Sequence, residues 1–176
     1  LDATRATLNQ LDQRLAELRR TREDLETLLD QLQQALPTPP TDILPEAFQQ
    51  LKNRLPWPVP GKVMAQFGSQ RAGDLDWSGM LIETEPGEPV SAVADGRVVF
   101  SDWLRGFGLL IIVNHGNGYM SLYGYNDSLL YSTGDWISAG ETIATAGRGG
   151  RRRSALYFEL RHRGQAFNPA PWLRER

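Results

Sequence analysis

Residues that ligate metals or act as nucleophiles are scarce in this chain, which has two histidines and no cysteine among its 176 residues. His115 lies in an Asn-His-Gly-Asn-Gly run typical of the entry to a hairpin, and His162 follows the last predicted strand. A catalytic zinc needs three protein ligands and an open position for water. Two histidines with no third ligand nearby make a poor zinc site, so we expect both to be ordinary surface residues.

Aromatic and basic residues offer binding chemistry instead. Arg161 comes four residues after Tyr157 in a β-like run, so the two-residue period of a strand places both side chains on one face. A guanidinium there forms a bidentate pair with a carboxylate of a partner. A glycine-rich loop just before this run carries four more arginines: Arg148, Arg151, Arg152 and Arg153. We interpret it as a solvated loop, with contact to an acidic partner or an anionic polymer as the alternative.

The elements that must position these residues are mainly short strands. Seven β-like runs are separated by turn signals, at residues 63–67, 90–93, 97–103, 109–114, 119–125, 141–146 and 155–161. Asn117-Gly118 between two of the runs is a strong hairpin signal. With no βαβ alternation and no internal repeat, the sequence predicts one mainly antiparallel β domain over residues 55–176.

Residues 1–36 predict one long helix with a heptad pattern. Leucines recur at steps of three and four, at Leu8, Leu11, Leu15, Leu18, Leu25, Leu29, Leu32 and Leu36. Arg22 takes the one position of this seam that is not apolar. A 3.5-residue repeat over about four heptads indicates a coiled coil, whose partner is another copy or a helix upstream of Leu1. The alternative is a solvated, charged helix packed on the β domain.

Residues 37–54 predict a proline-rich linker followed by a short amphipathic helix. The linker stops the long helix with three prolines, Pro37, Pro39 and Pro40. From about Pro45 to Arg54, apolar residues recur at helical spacing, namely Leu44, Phe48, Leu51 and Leu55. About ten residues do not hold a helix in water, so this segment must pack on something.

The bulk composition argues against two classes of protein. A formal net charge of -2 is unsuited to general nucleic-acid binding, which requires a basic excess. No run of about 18 apolar residues is present, so no transmembrane segment is predicted. The sequence has no signal peptide and begins at Leu1 rather than Met, so we expect a trimmed piece whose targeting segment is absent.

Residues 56–172 resemble the LytM, or lysostaphin-like, zinc endopeptidase domain, which cleaves peptidoglycan cross-links. The likeness is carried in order by Phe67-Gly68, Ala94-Asp-Gly-Arg-Val98, Gly106-Phe-Gly108, Val113-Asn-His-Gly-Asn-Gly-Tyr119, Leu156-Tyr-Phe-Glu159 and Asn168-Pro169. Each motif is short, but their order and spacing cover most of the chain. The resemblance implies a mainly antiparallel β LytM-like domain preceded by a coiled-coil helix and a short amphipathic helix.

The zinc ligands of that family are replaced here. The family holds its metal with a His-x-Gly-x-Asp stretch and the last His of a His-x-His pair, and two further histidines assist the bound water. Trp77-Ser-Gly-Met-Leu81 stands at the first motif, so Trp77 replaces the His and Leu81 the Asp. Ala155-Leu-Tyr157 stands at the second, and Tyr125 replaces the remaining His. The resemblance therefore implies no catalytic residue, no metal and no cofactor.

Further motifs narrow the likeness, namely Leu55-Pro-Trp-Pro-Val59, Asp102-Trp-Leu104, Ser121-Leu-Tyr-Gly-Tyr-Asn126 and Asn168-Pro-Ala-Pro-Trp-Leu173. They resemble the EnvC-type murein hydrolase activators of Gram-negative bacteria, which have an N-terminal coiled coil and a metal-free LytM domain. The resemblance implies a periplasmic protein at the division septum whose coiled coil docks to an FtsEX-type division complex. Its groove would activate N-acetylmuramoyl-L-alanine amidases, with peptidoglycan engaged only indirectly.

In such a protein the degenerate groove becomes the partner-binding surface. Its expected lining is Trp77, Met80, Leu81, Tyr125, Tyr157 and Arg161. We expect the short amphipathic helix to lie over this groove at rest through Phe48, Leu51 and Leu55, or else to brace the domain elsewhere. The alternative function is a peptidoglycan-binding module, in which the aromatic groove holds a glycan or a stem peptide.

Overall fold

The computed structural model describes residues 2–35, 47–148 and 152–176. A long helix, α1 (Asp2–Ala35), precedes the β domain. The strands are β1 (Val63–Ala65), β2 (Gln70–Ala72), β3 (Leu75–Asp76), β4 (Met80–Glu83), β5 (Pro89–Ser91), β6 (Gly96–Leu104), β7 (Gly108–Gly116), β8 (Tyr119–Leu129), β9 (Trp136–Ile137), β10 (Thr142–Ala146), β11 (Ala155–His162) and β12 (Gln165–Phe167). Single 3-10 turns occur at Phe48–Leu51 and Ala170–Trp172. Among the described residues, no helix is long and apolar enough to cross a membrane.

The strands form one large sheet in the order β1-β4-β11-β8-β7-β6-β9, and β2 and β3 form a separate hairpin. Among the described residues every strand pairing in both sheets is antiparallel, which confirms the predicted mainly antiparallel β domain. The hairpin at Asn117-Gly118 joins β7 to β8. Its two central residues have φ of 53° and 82°, the left-handed conformation that a type I′ turn requires at both positions.

The central strands carry apolar side chains on both faces. On β7, Ile111 and Val113 belong to one buried cluster, while Leu110 and Ile112 belong to another. This alternation follows the two-residue period of a strand. We call the first the back cluster, which also contains Tyr123 of β8, and the second the groove cluster. Because both faces are apolar, each needs a cover, and the structure supplies a different one for each.

The C-terminal half of α1 covers the groove cluster. Leu25 and Leu29 are each only 2% exposed and belong to that cluster. Toward the other end of the helix, Leu8 and Leu11 are more than half exposed. The heptad seam is therefore divided between two environments. Its second half packs on the sheet, as in the alternative of a helix docked on the domain, and a coiled-coil partner for the first half stays a prediction.

The short segment before the β domain covers the back cluster, not the groove. From residue 47 onward it forms only the 3-10 turn Phe48–Leu51, shorter than the predicted helix, and residues 45 and 46 lie outside the described residues. The Phe48 ring is buried and stacks 4.8 Å from His115 and 5.3 Å from Trp172. Leu51 packs on the same cluster, and Leu55 bridges to Leu173 at the C-terminus. The expectation that Phe48, Leu51 and Leu55 block the groove is thus corrected.

His115 is a buried residue of this back face, so its predicted surface location is wrong. Its Nδ1 lies 2.7 Å from the Asp95 carbonyl oxygen, which only accepts hydrogen bonds, so Nδ1 carries the proton. Its Nε2 then accepts from the Ser121 hydroxyl at 2.6 Å, and that hydroxyl also contacts the Tyr123 hydroxyl at 2.9 Å. Burial lowers the pKa of His115 to about 4. The imidazole is therefore a neutral structural link between strands.

This network predicts a loss of stability in mild acid. An unfolded chain protonates His115 below about pH 6.5, whereas the folded chain does so only below about pH 4. The unfolded state thus binds the extra proton between these values, and stability falls as pH is lowered. Between pH 7 and pH 4.5 the free energy of unfolding should therefore decrease, and we expect His115→Gln to make this decrease smaller by about 2–3 kcal/mol, measured by urea unfolding. Partly exposed His162→Gln is the matched control, and equal slopes for both variants would refute the assignment.

Candidate functional site

Three neighbouring strands bring the predicted groove residues together. Leu81 of β4 lies opposite Tyr157 of β11, and Tyr157 lies opposite Gly124 of β8. The Tyr157 ring is 5.9 Å from that of Tyr125 and 6.2 Å from that of Trp77, which follows β3. Four residues predicted from distant parts of the sequence therefore meet in one place, at the centre of the groove cluster.

Met80 does not belong to this site. It pairs with Phe158 and lies in the back cluster, where it is 2% exposed. Adjacent residues of a strand point to opposite faces, so Met80 and Leu81 cannot both face the groove. The inclusion of Met80 in the predicted lining was wrong because the strand β4 was not itself predicted.

Tyr125 reaches the groove through an unusual backbone conformation. Its φ is 69°, in the left-handed region that bulky residues rarely adopt, at a cost of roughly 1–2 kcal/mol. Its N–H donates to the Phe107 carbonyl at 2.6 Å, and its own carbonyl accepts from the Gly147 N–H at 3.1 Å. By strand period Tyr125 would share the face of Tyr123, but it lies in the opposite cluster. Backbone strain of this kind concentrates at functional sites.

Two residues of the turn between β6 and β7 belong to the site and were not predicted. Phe107 is buried, and its ring lies 5.4 Å from Tyr157 and 6.5 Å from Tyr125. Gly106 has φ 83°, and a Cβ there would lie 2.2 Å from Cγ2 of Thr21 on α1. Only glycine permits this approach of the helix. The Gly-Phe-Gly motif in the sequence was a signal for the turn, but not for the helix that packs on it.

A buried charge network forms one wall of the groove. Arg161 shares a face with Tyr157, as predicted, and its Nε donates to Glu159 at 2.5 Å. The Tyr157 hydroxyl donates to the other oxygen of Glu159 at 2.6 Å. From α1, Glu26 accepts two bonds from the Arg161 guanidinium, at 2.7 Å and 2.9 Å. The bidentate carboxylate partner expected for Arg161 is thus supplied by the chain itself.

Burial governs the protonation of these groups. Desolvation raises the pKa of Glu159 despite the lowering effect of the adjacent Arg161. Desolvation and the neighbouring Glu159 also raise the pKa of Tyr157 well above its usual value. The phenol therefore stays neutral and acts as a hydrogen-bond donor. Glu159 was detectable from sequence, because it lies between Tyr157 and Arg161 at the same strand period.

The groove is closed in this structure. Leu81, Tyr125 and Tyr157 are each 3% exposed or less, and Trp77 is half-buried. Leu25 and Leu29 of α1 lie in the same cluster. The contact is incomplete, since a cavity lined by Thr21, Arg22 and Leu25 remains between the helix and the sheet. The surface expected to be open for a partner is thus occupied by a helix of the same chain.

The zinc that the LytM-like fold implies does not fit these residues. Trp77 and Leu81 have no lone pair suited to a metal, and the Tyr157 hydroxyl is committed to Glu159 with a raised pKa. A zinc site of this class needs three nitrogen, sulfur or carboxylate ligands. Across residues 2–35, 47–148 and 152–176, no three His, Cys, Asp or Glu side chains are grouped to hold a metal ion. These side chains form an apolar binding surface and not a set of metal ligands.

Comparison with known proteins confirms the predicted LytM-like fold. The chain is 52% identical over 118 residues to the murein hydrolase activator EnvC of Escherichia coli and 40% identical over 121 residues to the murein hydrolase activator NlpD of Salmonella dublin. These alignments cover 66% and 68% of this chain but only 28% and 31% of the relatives.

Solved structures show the same fold at lower identity. A putative M23 peptidase from Pseudomonas aeruginosa superposes with a TM-score of 0.68 at 18% identity, covering 88% of this chain and 61% of that one. The catalytic domain of lysostaphin from Staphylococcus simulans gives 0.58 at 22%, covering 64% and 91%. The model described as Peptidase family M23 matches residues 76–169, more than half of the chain, and the chain therefore belongs to that family.

Proposed function

We propose that this chain is a non-catalytic activator of peptidoglycan hydrolases, and that its partner is an N-acetylmuramoyl-L-alanine amidase bound in the groove. The observation that carries the proposal is the cluster of Trp77, Leu81, Tyr125 and Tyr157 where enzymes of the family carry zinc ligands. Trp and Tyr dominate binding energy at protein interfaces when they lie in a desolvated centre ringed by polar groups. Two relatives described as murein hydrolase activators support the same conclusion.

The proposal includes a resting state in which α1 occupies the groove. Leu25 and Leu29 cover the aromatic residues, and Glu26 pairs with Arg161. An amidase that uses the same surface must first displace this helix. The self-inhibitory role assigned to the short segment at Phe48–Leu51 on sequence grounds thus passes to α1. Activation becomes a shift between two positions of α1, governed by the difference in affinity of its partners for them.

The exposed half of α1 completes the proposal. Leu8 and Leu11 continue the heptad seam but contact no apolar cluster in the described residues. We propose that this half pairs with a further helix and docks to an FtsEX-type division complex, in the periplasm at the division septum. A conformational change of that complex would then act on α1, the helix that closes the groove.

The groove predicts a specific loss of activation. In a chain whose α1 is released by Leu25→Asp and Leu29→Asp, we expect Trp77→Ala to weaken amidase stimulation about 30-fold or more. A central aromatic hot spot contributes at least about 2 kcal/mol to binding. The measurement is dye release from labelled sacculi over a concentration series of the chain, with and without a periplasmic amidase.

The matched control is Trp103→Ala, which removes a tryptophan that is 61% exposed on β6, outside the groove. Equal stimulation by both tryptophan variants would mean that the amidase does not bind in the groove. Dye release by the chain without any amidase would show hydrolysis and overturn it. Retention on purified sacculi in the absence of amidase, lost on Trp77→Ala, would instead favour a peptidoglycan-binding module.

A further inference from the structure

A second cavity lies beside residues 14–21 of α1, which precede Glu26 of the charge network on the same helix. It has a volume of about 670 Å³ and opens between the helix and the β domain. Its walls come from α1, β2, the turn between β6 and β7, β8 and Arg152, and its principal residues are Arg14, Glu17, Arg71, Trp77, Tyr125 and Arg152. The volume falls within the range of pockets that bind small molecules. Residues far apart in sequence therefore form one compartment only while α1 is docked.

The helix contributes a continuous stripe to this cavity. Arg14, Glu17, Leu18 and Thr21 follow the spacing of one helix face. Thr21 packs on Gly106, so the position of this stripe relative to the sheet is fixed by direct contact. The charged residues of the stripe, Arg14 and Glu17, are exposed and line the cavity together with Trp77 and Tyr125 of the aromatic groove.

The charges of the cavity are unbalanced. Three arginines and one acidic residue, Glu17, line it. Arg71 lies over the Trp77 ring, with Cζ 4.1 Å from its centroid. Neither Arg14 nor Arg152 forms an ion pair or hydrogen bond with any described residue. Arg14 and Arg152 are exposed at the mouth of the cavity. Guanidinium groups bind carboxylates and phosphates through paired hydrogen bonds, so this excess of arginine favours an anionic ligand.

Glu17 gives the cavity a second preference. Among the described residues its carboxylate forms no ion pair, and it lies within the same wall as Arg14. A ligand that pairs with both the positive and the negative side chains carries carboxylates for the arginines and a free amine for Glu17. Hydrolysis by water of the amide bond at the amino end of an acidic peptide produces such a ligand: the acyl fragment takes the new carboxylate, and the released peptide gains a free amine and keeps its own carboxylates.

We infer that this cavity binds a short acidic peptide with a free amino terminus, the class of product that an amidase releases from peptidoglycan. The inference rests on the proposed function for the source of the peptide, but not for the binding. Such a ligand contacts α1 and the β domain together, so it binds only the closed arrangement. The released peptide therefore holds the activator closed and limits further hydrolysis.

Linkage sets the size of the effect. A ligand at 100 times its Kd that binds only the closed state raises the ratio of closed to open chain about 100-fold. Amidase stimulation falls by the same factor when the open state is the one that binds amidase and is a minor fraction of the chain.

Calorimetric titration of the full chain tests the site directly, with alanyl-glutamate as the probe. This dipeptide has a free amine and two carboxylates. We expect it to bind at least 10-fold more tightly than N-acetylated alanyl-glutamate and than pyrophosphate. Arg14→Ser with Arg152→Ser should weaken binding at least 10-fold, and Glu17→Gln should abolish the preference for the free amine. The matched control is Arg5→Ser with Arg20→Ser, which removes two exposed arginines of α1 outside this cavity.

Two outcomes overturn the inference. Equal affinity of the cavity double variant and the control double variant for alanyl-glutamate would exclude the cavity. Pyrophosphate binding as tightly as the dipeptide would reduce it to a simple anion site. Because the titration contains no amidase, binding of the dipeptide by a chain that fails to stimulate any amidase would overturn the proposed function alone.

Discussion

Replacing Leu25 and Leu29 of α1 by aspartate is expected to increase the apparent affinity of the chain for its amidase by at least 100-fold. Each leucine is 2% exposed against the groove cluster. Burial of one leucine side chain contributes about 1.5–3 kcal/mol, so the pair holds α1 closed by about 3–6 kcal/mol. When a partner binds only the open state, its apparent affinity equals its intrinsic affinity multiplied by the fraction of the chain that is open. Releasing α1 removes that penalty.

The exposed half of the same helix provides the matched control. Leu8→Asp with Leu11→Asp introduces the same charges into α1 at positions that are 55% and 58% exposed. Stimulation of dye release should be unchanged by this pair and increased by the first. Hydrogen exchange of amides in β8 and β11 distinguishes release of α1 from unfolding, because the sheet should stay protected. Unchanged stimulation by Leu25→Asp with Leu29→Asp, with the sheet intact, would mean that α1 does not restrict the groove.

Much of the fold was predictable because its signals are local. All seven predicted β runs overlap strands of the structure, and Asn117-Gly118 forms the expected hairpin. Turn residues and alternating apolar residues act over a few positions, so one sequence is enough to detect them. The strands β2, β3, β4, β9 and β12 have only two to four residues, which is too short for a periodic signal. The misassignment of Met80 follows directly from the missed β4.

The cover of the groove was not predictable for a different reason. A leucine seam with a 3.5-residue period packs equally well on another helix or on an apolar sheet, so the pattern of α1 does not identify its partner. The choice depends on Gly106 and Phe107 and on Glu26, which precedes them by about 80 residues and meets this part of the domain only in the folded chain. The short segment shows the same limit. The apolar spacing of Phe48 and Leu51 indicated burial, but not which of two apolar faces would bury them.

The charge network at the groove wall predicts a large loss of stability when its cation is removed. Arg161 is 3% exposed and pairs with Glu159, which is fully buried, and with Glu26 of α1. Removing one partner of a buried ion pair leaves an uncompensated charge and costs about 3–5 kcal/mol. We therefore expect Arg161→Met to destabilise the chain by about that amount at pH 7, measured by chemical denaturation.

The pH dependence of this loss follows from Glu159. Burial already raises its pKa in the native chain, and loss of Arg161 removes the larger part of what opposes that shift, leaving only the hydrogen bond from Tyr157. A carboxyl with a raised pKa in the folded state binds its proton more tightly there than in the unfolded chain. Stability is therefore retained at low pH and lost as pH rises from the unfolded pKa toward the folded one. The destabilisation of Arg161→Met should be small near pH 5 and grow toward pH 8.

Two further variants separate the buried charge from the loss of a contact with α1. Arg161→Met combined with Glu159→Gln should recover most of the stability and flatten its pH dependence, because the unpaired carboxylate is gone. Arg19→Met breaks a second ion pair between α1 and the domain, with Asp74 at 2.6 Å, where both side chains are at least half exposed. Solvent screens that pair, so no measurable change is expected. If the double variant were as unstable as Arg161→Met alone, the cost would lie in lost packing of the arginine side chain and not in a buried charge.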